Sequence, residues 1–160
     1  MKRRKEQGFN LIELLIVVAI IAIITAIAIP NVLNSRKAAN ESSAIAALRA
    51  IGSAQVSYSV ENNRYGSITE LIAAGLLDER FKEDGKINGY KITTETAAKG
   101  TLPLISTGIA GYKAVPAIKD GAGRYAYSMY SDFVVRYAED GNAGLPTGVT
   151  AGDPVGGKKP

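Results

Sequence analysis

Residues 8–30 read GFNLIELLIVVAIIAIITAIAIP, and this segment constrains the fold more than any other. Between positions 14 and 29 the only polar residue is Thr25, and extending the segment back to position 9 adds Asn10 and Glu13. As an α-helix, residues 9–29 would be about 32 Å long at roughly 1.5 Å per residue, which matches a hydrocarbon core about 30 Å thick. The pattern predicts a helix that spans a membrane.

The charges beside this segment predict its orientation. Residues 2–5 are all basic and only Glu6 opposes them, whereas the rest of the chain carries fifteen basic and fourteen acidic residues. Basic flanks stay in the cytoplasm, so the C-terminal part is expected on the other side of the membrane. Because the excess charge lies in the first eight residues and not on a folded surface, we predict no nucleic-acid binding.

The composition argues against an enzyme. The 160 residues include no Cys and no His, which removes thiol nucleophiles, disulfides and the commonest acid–base and metal-binding side chains. Adjacent carboxylates at 78–79 and 139–140 are typical of solvated turns. Asp140, Asn142 and Asp153 carry oxygen ligands that suit calcium, but they lack the spacing of an EF-hand loop. We predict no catalytic residue, no cofactor and no bound metal.

Hydropathy alone leaves three interpretations of the apolar segment open. It fits a secretory signal peptide, since Ala26-Ile27-Ala28 has the small-x-small pattern of a cleavage site. It also fits a plain membrane anchor, or a buried helix of a soluble protein. One charged residue inside the segment helps to separate these interpretations.

That residue is Glu13, one turn into the apolar run. No basic residue lies between Lys5 and Arg36. A carboxylate within a membrane helix costs about 2.5–3.5 kcal/mol on insertion scales, so it calls for a partner. The only cation near it would be a new α-amino group, created if the chain were cut just before Phe9.

Residues 8–13, GFNLIE, resemble the processing motif of type IV prepilins and the related pseudopilins. In these families a Gly precedes a residue that is usually Phe, and Glu is the fifth residue of the mature chain. Pro30 also matches a proline that the families place late in the same helix. The resemblance covers residues 1–30 and combines a basic leader, a Gly-Phe junction, an intramembrane Glu and a distal Pro.

The resemblance implies how the chain is processed and where it goes. A prepilin peptidase would cut between Gly8 and Phe9 and would methylate the freed amine of Phe9. Glu13 would then pair with the Phe9 amine of a neighbouring copy during assembly. The partners implied are further copies of the chain, the peptidase and an inner-membrane assembly machinery. The subunit would lie in the inner membrane first and in an extracellular filament afterwards.

Beyond Pro30 the sequence remains compatible with a helix. Apolar residues recur at approximately helical spacing and predict a side that faces a core: Ile45, Leu48, Ile51, Val56 and Val60. Charged residues are assigned to the opposite side: Arg36, Lys37, Glu41, Arg49 and Glu61. We expect one helix over residues 9–60, kinked at Pro30 because proline lacks an N–H and clashes with the preceding turn. Gly52 is a weak point in it.

The remainder predicts a short helix and a sheet. Ser67 begins a capping box that is completed by Glu70, and the short helix should end at Gly75. Alternating and aromatic-rich segments predict four strands, at 90–94, 112–115, 124–130 and 133–137. The fold class is therefore α+β, with the second half of the long helix packed on a four-stranded antiparallel sheet. Residues 141–160, rich in Gly and Pro, are expected to form a loop or loose tail.

Three parts follow along the chain: a cleaved leader (1–8), a transmembrane and assembly helix (9–30) and a globular domain (31–160). The resemblance favours a type IV pilus subunit, with adhesion, twitching motility or DNA uptake as its use. The alternative is a pseudopilin of a type II secretion system, whose major family typically has a Trp-containing Asp-Pro motif near its C-terminus. Here Asp153-Pro154 precedes Val155 and the chain has no Trp, which favours a pilin. A binding domain with an ordinary signal peptide or anchor is a third hypothesis.

Overall fold

A computed structural model describes residues 9–82, 85–96, 109–118, 121–130, 132–138 and 153–154. Its elements in chain order are α1 (Leu11–Asn62), α2 (Ile68–Ala73), a short 3-10 helix (Glu79–Phe81), β1 (Lys86–Ile87), β2 (Tyr90–Thr96), β3 (Ile109–Pro116), β4 (Ala126–Tyr130), β5 (Val135–Ala138) and β6 (Asp153–Pro154). The α+β class is confirmed. The chain divides into two compact units, residues 1–35 (the N-terminal unit) and residues 36–160 (the C-terminal unit).

The long helix α1 confirms the prediction to within two residues at each end. It begins after Asn10, whose carbonyl accepts a hydrogen bond from the Glu13 N–H at 3.0 Å. The helix contains Pro30 and runs past it without a break in assignment. It ends at Asn62, where Asn63 takes a left-handed conformation with φ of 52°.

The strands form one antiparallel sheet in which every strand pairs with its neighbours in chain order, from β1 to β6. The four predicted strands correspond to β2, β3, β4 and β5. The predicted count of four is wrong, because two-residue strands extend the sheet at both edges. One of them, β6, lies within the predicted loose tail and pairs Asp153 with Tyr137 of β5. A two-residue strand has no alternation that a sequence pattern would reveal.

The core of the C-terminal unit lies between the second part of α1 (residues 36–62) and the sheet. Leu48 and Ile51 of α1 are fully buried, as are Tyr90, Ile92 and Tyr112 of the sheet. Burial raises the pKa of Tyr112 to about 12, although the hydrogen bond with Gln55 opposes that shift.

Two predicted faces of α1 need correction. Val56 and Val60 were assigned to the core-facing side, but they are 49% and 77% exposed. Glu41 was assigned to the solvent side, but it is buried. Its carboxylate accepts a hydrogen bond from the Arg124 N–H at 2.7 Å and lies 3.5 Å from the Arg124 guanidinium. A partner 83 positions away cannot be read from a local pattern.

The connector between α1 and α2 is held by hydrogen bonds at Gly66 and at the start of α2. Its middle is fixed by Gln55, which is fully buried. The Gln55 amide donates to the carbonyl of Gly66 at 2.6 Å and to the Tyr112 hydroxyl, and it accepts from the Gly66 N–H at 2.9 Å. At α2 the predicted capping box is confirmed, with Ser67 and Glu70 satisfying each other's backbone N–H. The Arg64 guanidinium, hydrogen-bonded to Glu70, holds the pKa of that carboxyl down at about 2.

Candidate membrane and assembly segment

The site predicted from the sequence lies at the start of α1. Gly8 lies outside the described residues. Phe9 stands two positions before the helix and is 83% exposed, and Glu13 lies in the first helical turn. In the uncut chain the Phe9 nitrogen is part of a peptide bond, so it offers no positive charge to Glu13. A charge pair between the two residues therefore requires a cut before Phe9.

The helix is stabilised at its start by a residue that the sequence analysis did not single out. The Asn10 side-chain oxygen lies 3.5 Å from the Ile12 N–H, and its carbonyl also accepts from Leu14 at 3.3 Å. Asn is among the residues preferred immediately before a helix, because its side chain can satisfy a free N–H of the first turn. That preference was the signal available in the sequence.

The N-terminal unit leaves its apolar side chains uncovered within one chain. Sixteen large apolar residues between positions 9 and 33 are exposed, each by about half of its surface or more. Positions 14–18 are five consecutive members of this set. Since successive helical residues point about 100° apart, five in a row cover every side of the helix. A helix that is apolar all round is stable in water only if something else buries it.

Its length and hydropathy suit a bilayer. Among the described residues, one helix is long and apolar enough to cross a membrane, and its best window has a mean hydropathy of 3.1 with none of that window buried in the chain. Length and composition alone would also admit a signal sequence. Because none of that window is buried, the segment is not a helix in the core of this same chain.

Polar side chains within the segment are satisfied by the helix itself. The Thr25 hydroxyl lies 2.9 Å from the Ile21 carbonyl and 3.0 Å from the Ala22 carbonyl, and the Asn31 amide donates to the Ile27 carbonyl at 3.1 Å. These bonds lower the cost of placing a hydroxyl or an amide away from water. Neither residue needs a partner from another molecule.

Glu13 differs from these residues. Among the described residues, its carboxylate makes no hydrogen bond and no ion pair. The next basic residue along the helix is Arg36, about 35 Å away at 1.5 Å per residue. Glu13 is therefore a charge within an apolar surface, with no neutralising group in the described part of its own chain.

Pro30 lies inside α1, as predicted. Because proline has no N–H, the carbonyl of Ala26 loses its usual donor four residues on. The Asn31 amide bonds to the neighbouring carbonyl of Ile27, which adds a polar contact at the same turn. The predicted kink at Pro30 stays a prediction.

The described residues contain no cluster of three His, Cys, Asp or Glu side chains able to hold a metal ion. Asp140 and Asn142, considered above as calcium ligands, lie outside the described residues, and so does the adjacent pair at 139–140. The arrangement at the start of α1 contains no nucleophile beside a base. What it offers is an apolar surface and one anionic group, which suit insertion and association.

Comparison with known proteins points to the same segment. Residues 3–29 match the family described as the prokaryotic N-terminal methylation motif. The chain is 34% identical over 152 residues to the type IV major pilin protein PilA of Myxococcus xanthus, covering 89% of this chain and 64% of that protein. It is 49% identical over 74 residues to the type IV wide pilus major component PilA4 of Thermus thermophilus, covering 46% of this chain and 56% of that one. In both cases the match spans less than two thirds of the relative's length.

A further relative is matched over most of its length. The type II secretion system core protein G of Vibrio cholerae is 33% identical over 125 residues, covering 69% of this chain and 85% of the relative. Pilins and secretion pseudopilins therefore both appear among the similar proteins, as the sequence resemblance implied. With the long apolar helix, the antiparallel sheet and the methylation motif, these matches place the chain in the superfamily of type IV pilins and type II secretion pseudopilins.

Proposed function

We propose that the chain is a structural subunit of an extracellular type IV pilus. A prepilin peptidase removes residues 1–8 and methylates the new amine of Phe9. Residues 9–30 hold the subunit in the inner membrane and later pack against other copies in the filament. The observation that carries this proposal is a helix apolar on every side, with one unpaired carboxylate in its first turn.

The same apolar surface suits both environments. In the membrane, lipid tails cover the sixteen exposed side chains. Apart from the Ala26 carbonyl, which loses its donor at Pro30, the backbone N–H and C=O groups of the helix interior bond within the helix. In a filament, the corresponding surfaces of other copies replace the lipid. Since both surroundings exclude water, moving from one to the other does not expose apolar surface.

Glu13 gives the association a preferred register. In lipid its carboxylate is poorly solvated and has no partner in the described part of its chain. The methylated amine of Phe9, freed by the cut, is a cation at the same depth in a neighbouring copy. Pairing the two removes the cost of two isolated charges and adds a hydrogen bond between ionised groups. Registers that leave Glu13 unpaired are disfavoured.

The comparisons support a filament subunit in preference to an enzyme. The relative from Myxococcus xanthus is named a major pilin, and the one from Thermus thermophilus a major component of a wide pilus. Neither name describes an enzyme. The proposed localisation is the inner membrane before assembly and the cell surface afterwards.

The mass of the mature chain tests the proposal. Mass spectrometry of the purified protein should find an N-methylated Phe9 at the N-terminus. Gly8→Val should block the cut and leave the full precursor in the membrane, because the residue before the cleaved bond no longer fits. Gln7→Ala, one position earlier, is the matched control and should be processed normally. A mature chain that begins at Ile29 would instead indicate signal peptidase and would refute the proposal.

The second candidate is a pseudopilin of a type II secretion system. It is favoured by the match to the secretion protein of Vibrio cholerae, which covers 85% of that relative. Deleting the gene in the source bacterium distinguishes the two functions. Loss of surface filaments with normal protein export supports the pilus, whereas normal filaments with defective export support the pseudopilin.

A further inference from the structure

An open groove runs along the second part of α1, with a volume of about 470 Å³. The helix lines it with Arg49, Gly52, Ser53 and Val56, and the sheet side contributes Met129 and Phe133. We call it the Gly52 groove. All of these residues belong to the C-terminal unit.

Two of the residues that line this groove, Gly52 and Phe133, are unfavourable for the local backbone conformation. Gly52 lies in the middle of a helix, which costs about 1 kcal/mol relative to Ala. A Cβ at this position would lie 3.1 Å from the Met129 sulfur and 3.2 Å from a Phe133 ring carbon, so a larger residue would crowd both. Phe133 has a φ of 56°, a left-handed conformation that is uncommon for a bulky residue.

Neighbouring contacts keep Phe133 in that conformation. The Tyr65 ring meets it edge-on, with ring centres 5.7 Å apart. The carboxylate of Asp132 accepts from the Val134 N–H at 3.1 Å and thereby fixes the turn around Phe133. Backbone strain that the surroundings enforce is found more often at functional positions than elsewhere. Here it places an aromatic wall beside the groove.

The helix surface around the groove is unusually poor in charge. Between positions 38 and 60 the only charged residues are Glu41, which is buried, and Arg49. Val56 and Val60 are exposed on this surface instead of facing the core. An exposed helix in a soluble domain normally carries charged residues on its outer side. Residues 38–60 are therefore poor in charge, as residues 14–29 are, with Arg36 and Lys37 between the two stretches.

We propose that the Gly52 groove receives apolar side chains from residues 14–29 of another copy. This inference rests on the proposed function and identifies where the C-terminal unit takes part in assembly. An apolar occupant suits Val56, Met129 and Phe133, and the other lining residues beside Arg49 are small: Gly52, Ser53 and Ser57. The occupant also has to tolerate a single cation, and the aliphatic stem of Arg49 can lie along an apolar side chain while its guanidinium stays in water.

The second copy supplies the matching surface. Its helix presents Leu, Ile and Val side chains on all sides, none of which is covered within its own chain. A volume of about 470 Å³ is at the scale of sites that bury small apolar groups. It accommodates a short ridge of side chains rather than a whole helix. Met129 of β4 and Phe133 of the turn between β4 and β5 then become part of the interface.

Disulfide trapping tests the proposal in intact filaments, and the absence of native Cys makes the result unambiguous. Ser53→Cys is combined with one additional Cys at each position from 14 to 29, and the filaments are oxidised. We expect covalent multimers for a subset of positions spaced three or four apart. The matched control combines the same scan with Lys86→Cys, an exposed residue of β1, and should give none.

The outcomes separate the groove from the proposed function. Abundant filaments that give no multimers at any Ser53→Cys combination would overturn the groove and leave the pilus proposal intact. A wild-type chain that forms no filaments would overturn both. As a second measurement, Ser53→Phe should fill the groove and reduce filament number at least tenfold, whereas Lys86→Phe should leave it unchanged.

Discussion

The first part of α1 (residues 11–35) and its second part (residues 36–62) belong to one helix but differ in the burial of their side chains. From residue 9 to residue 36 no side chain is buried, whereas nine residues between positions 41 and 58 are. Polar side chains differ in the same way. Thr25 and Asn31 bond to carbonyls of their own helix, but Asn40 donates to the Ala122 carbonyl at 2.9 Å.

This difference shows what each part is suited to do. In the first part, the Thr25 and Asn31 side chains bond within the helix, so these bonds are kept when lipid is replaced by another apolar environment. In the second part, Asn40, Glu41 and Gln55 bond to distant loops and strands. Removing it from the sheet would leave those groups unpaired, so it stays a fixed part of the C-terminal unit.

The largest effect is expected from Glu13→Ala. The substitution removes the charge that costs free energy in lipid, so expression and cleavage should be normal. It also leaves the Phe9 amine without its partner, so few or no filaments should form. Glu13→Gln should fall between, because it keeps a hydrogen bond and loses the charge. Electron microscopy counts filaments, and an immunoblot measures the mature subunit.

The matched control for Glu13 is Thr25→Val in the same segment. The Thr25 hydroxyl bonds only to its own helix, so its removal should not change filament number. If Glu13→Ala assembles as well as Thr25→Val, apolar packing alone sets assembly and the role of the carboxylate is wrong.

The next largest effect concerns the C-terminal unit alone. Gln55→Leu leaves the Gly66 N–H without its partner, and it leaves the Gly66 carbonyl and the Tyr112 hydroxyl only their 3.5 Å contact with each other. Because each unsatisfied buried group costs about 1–3 kcal/mol, we expect a loss of roughly 3 kcal/mol in the free energy of unfolding. Urea denaturation of residues 37–160 measures it. Ser59→Ala, an exposed hydroxyl on the same helix, should change stability by less than about 0.5 kcal/mol.

The third prediction uses pH and the same cluster. Burial raises the pKa of Tyr112 to about 12, above an unfolded value of about 10. The free energy of unfolding contributed by the protonated Tyr112 is fully present below about pH 10 and is lost as the pH rises towards about 12. One proton contributes at most about 1.4 kcal/mol per pH unit. In urea titrations of residues 37–160, Tyr112→Phe should make the alkaline loss shallower, and burial of Tyr90 and Tyr127 should leave some of it. An unchanged slope would contradict the assignment.

The smallest effect is expected from Ser67→Ala. It removes the hydroxyl that caps α2. A lost cap costs about 1 kcal/mol. Urea denaturation of residues 37–160 should detect this, with filament number unchanged. A change in filament number at normal stability would show that α2 takes part in assembly, which would weaken the distinction between the two parts.

Local patterns predicted the elements and missed the contacts between them. The apolar run predicted α1, and the Ser67 and Glu70 pair predicted α2. Alternation located β2 and β3, and aromatic-rich segments located β4 and β5. The burial of Glu41 depends on Arg124 and that of Gln55 on Gly66 and Tyr112, which adjoin it only in the folded chain. At the candidate site the sequence located Glu13 and its surroundings. The exposure of Val56, which lines the groove, and of Val60 depends on which side of α1 the sheet covers, and the helical spacing did not reveal it.

The central claim is that the apolar helix assembles and the remaining chain is an independently folded domain. Sedimentation of residues 37–160 beside the full mature chain tests it most directly. We predict that the fragment is a folded monomer, with cooperative unfolding, while the mature chain forms filaments. A fragment that polymerises by itself, or that fails to fold, would contradict the account.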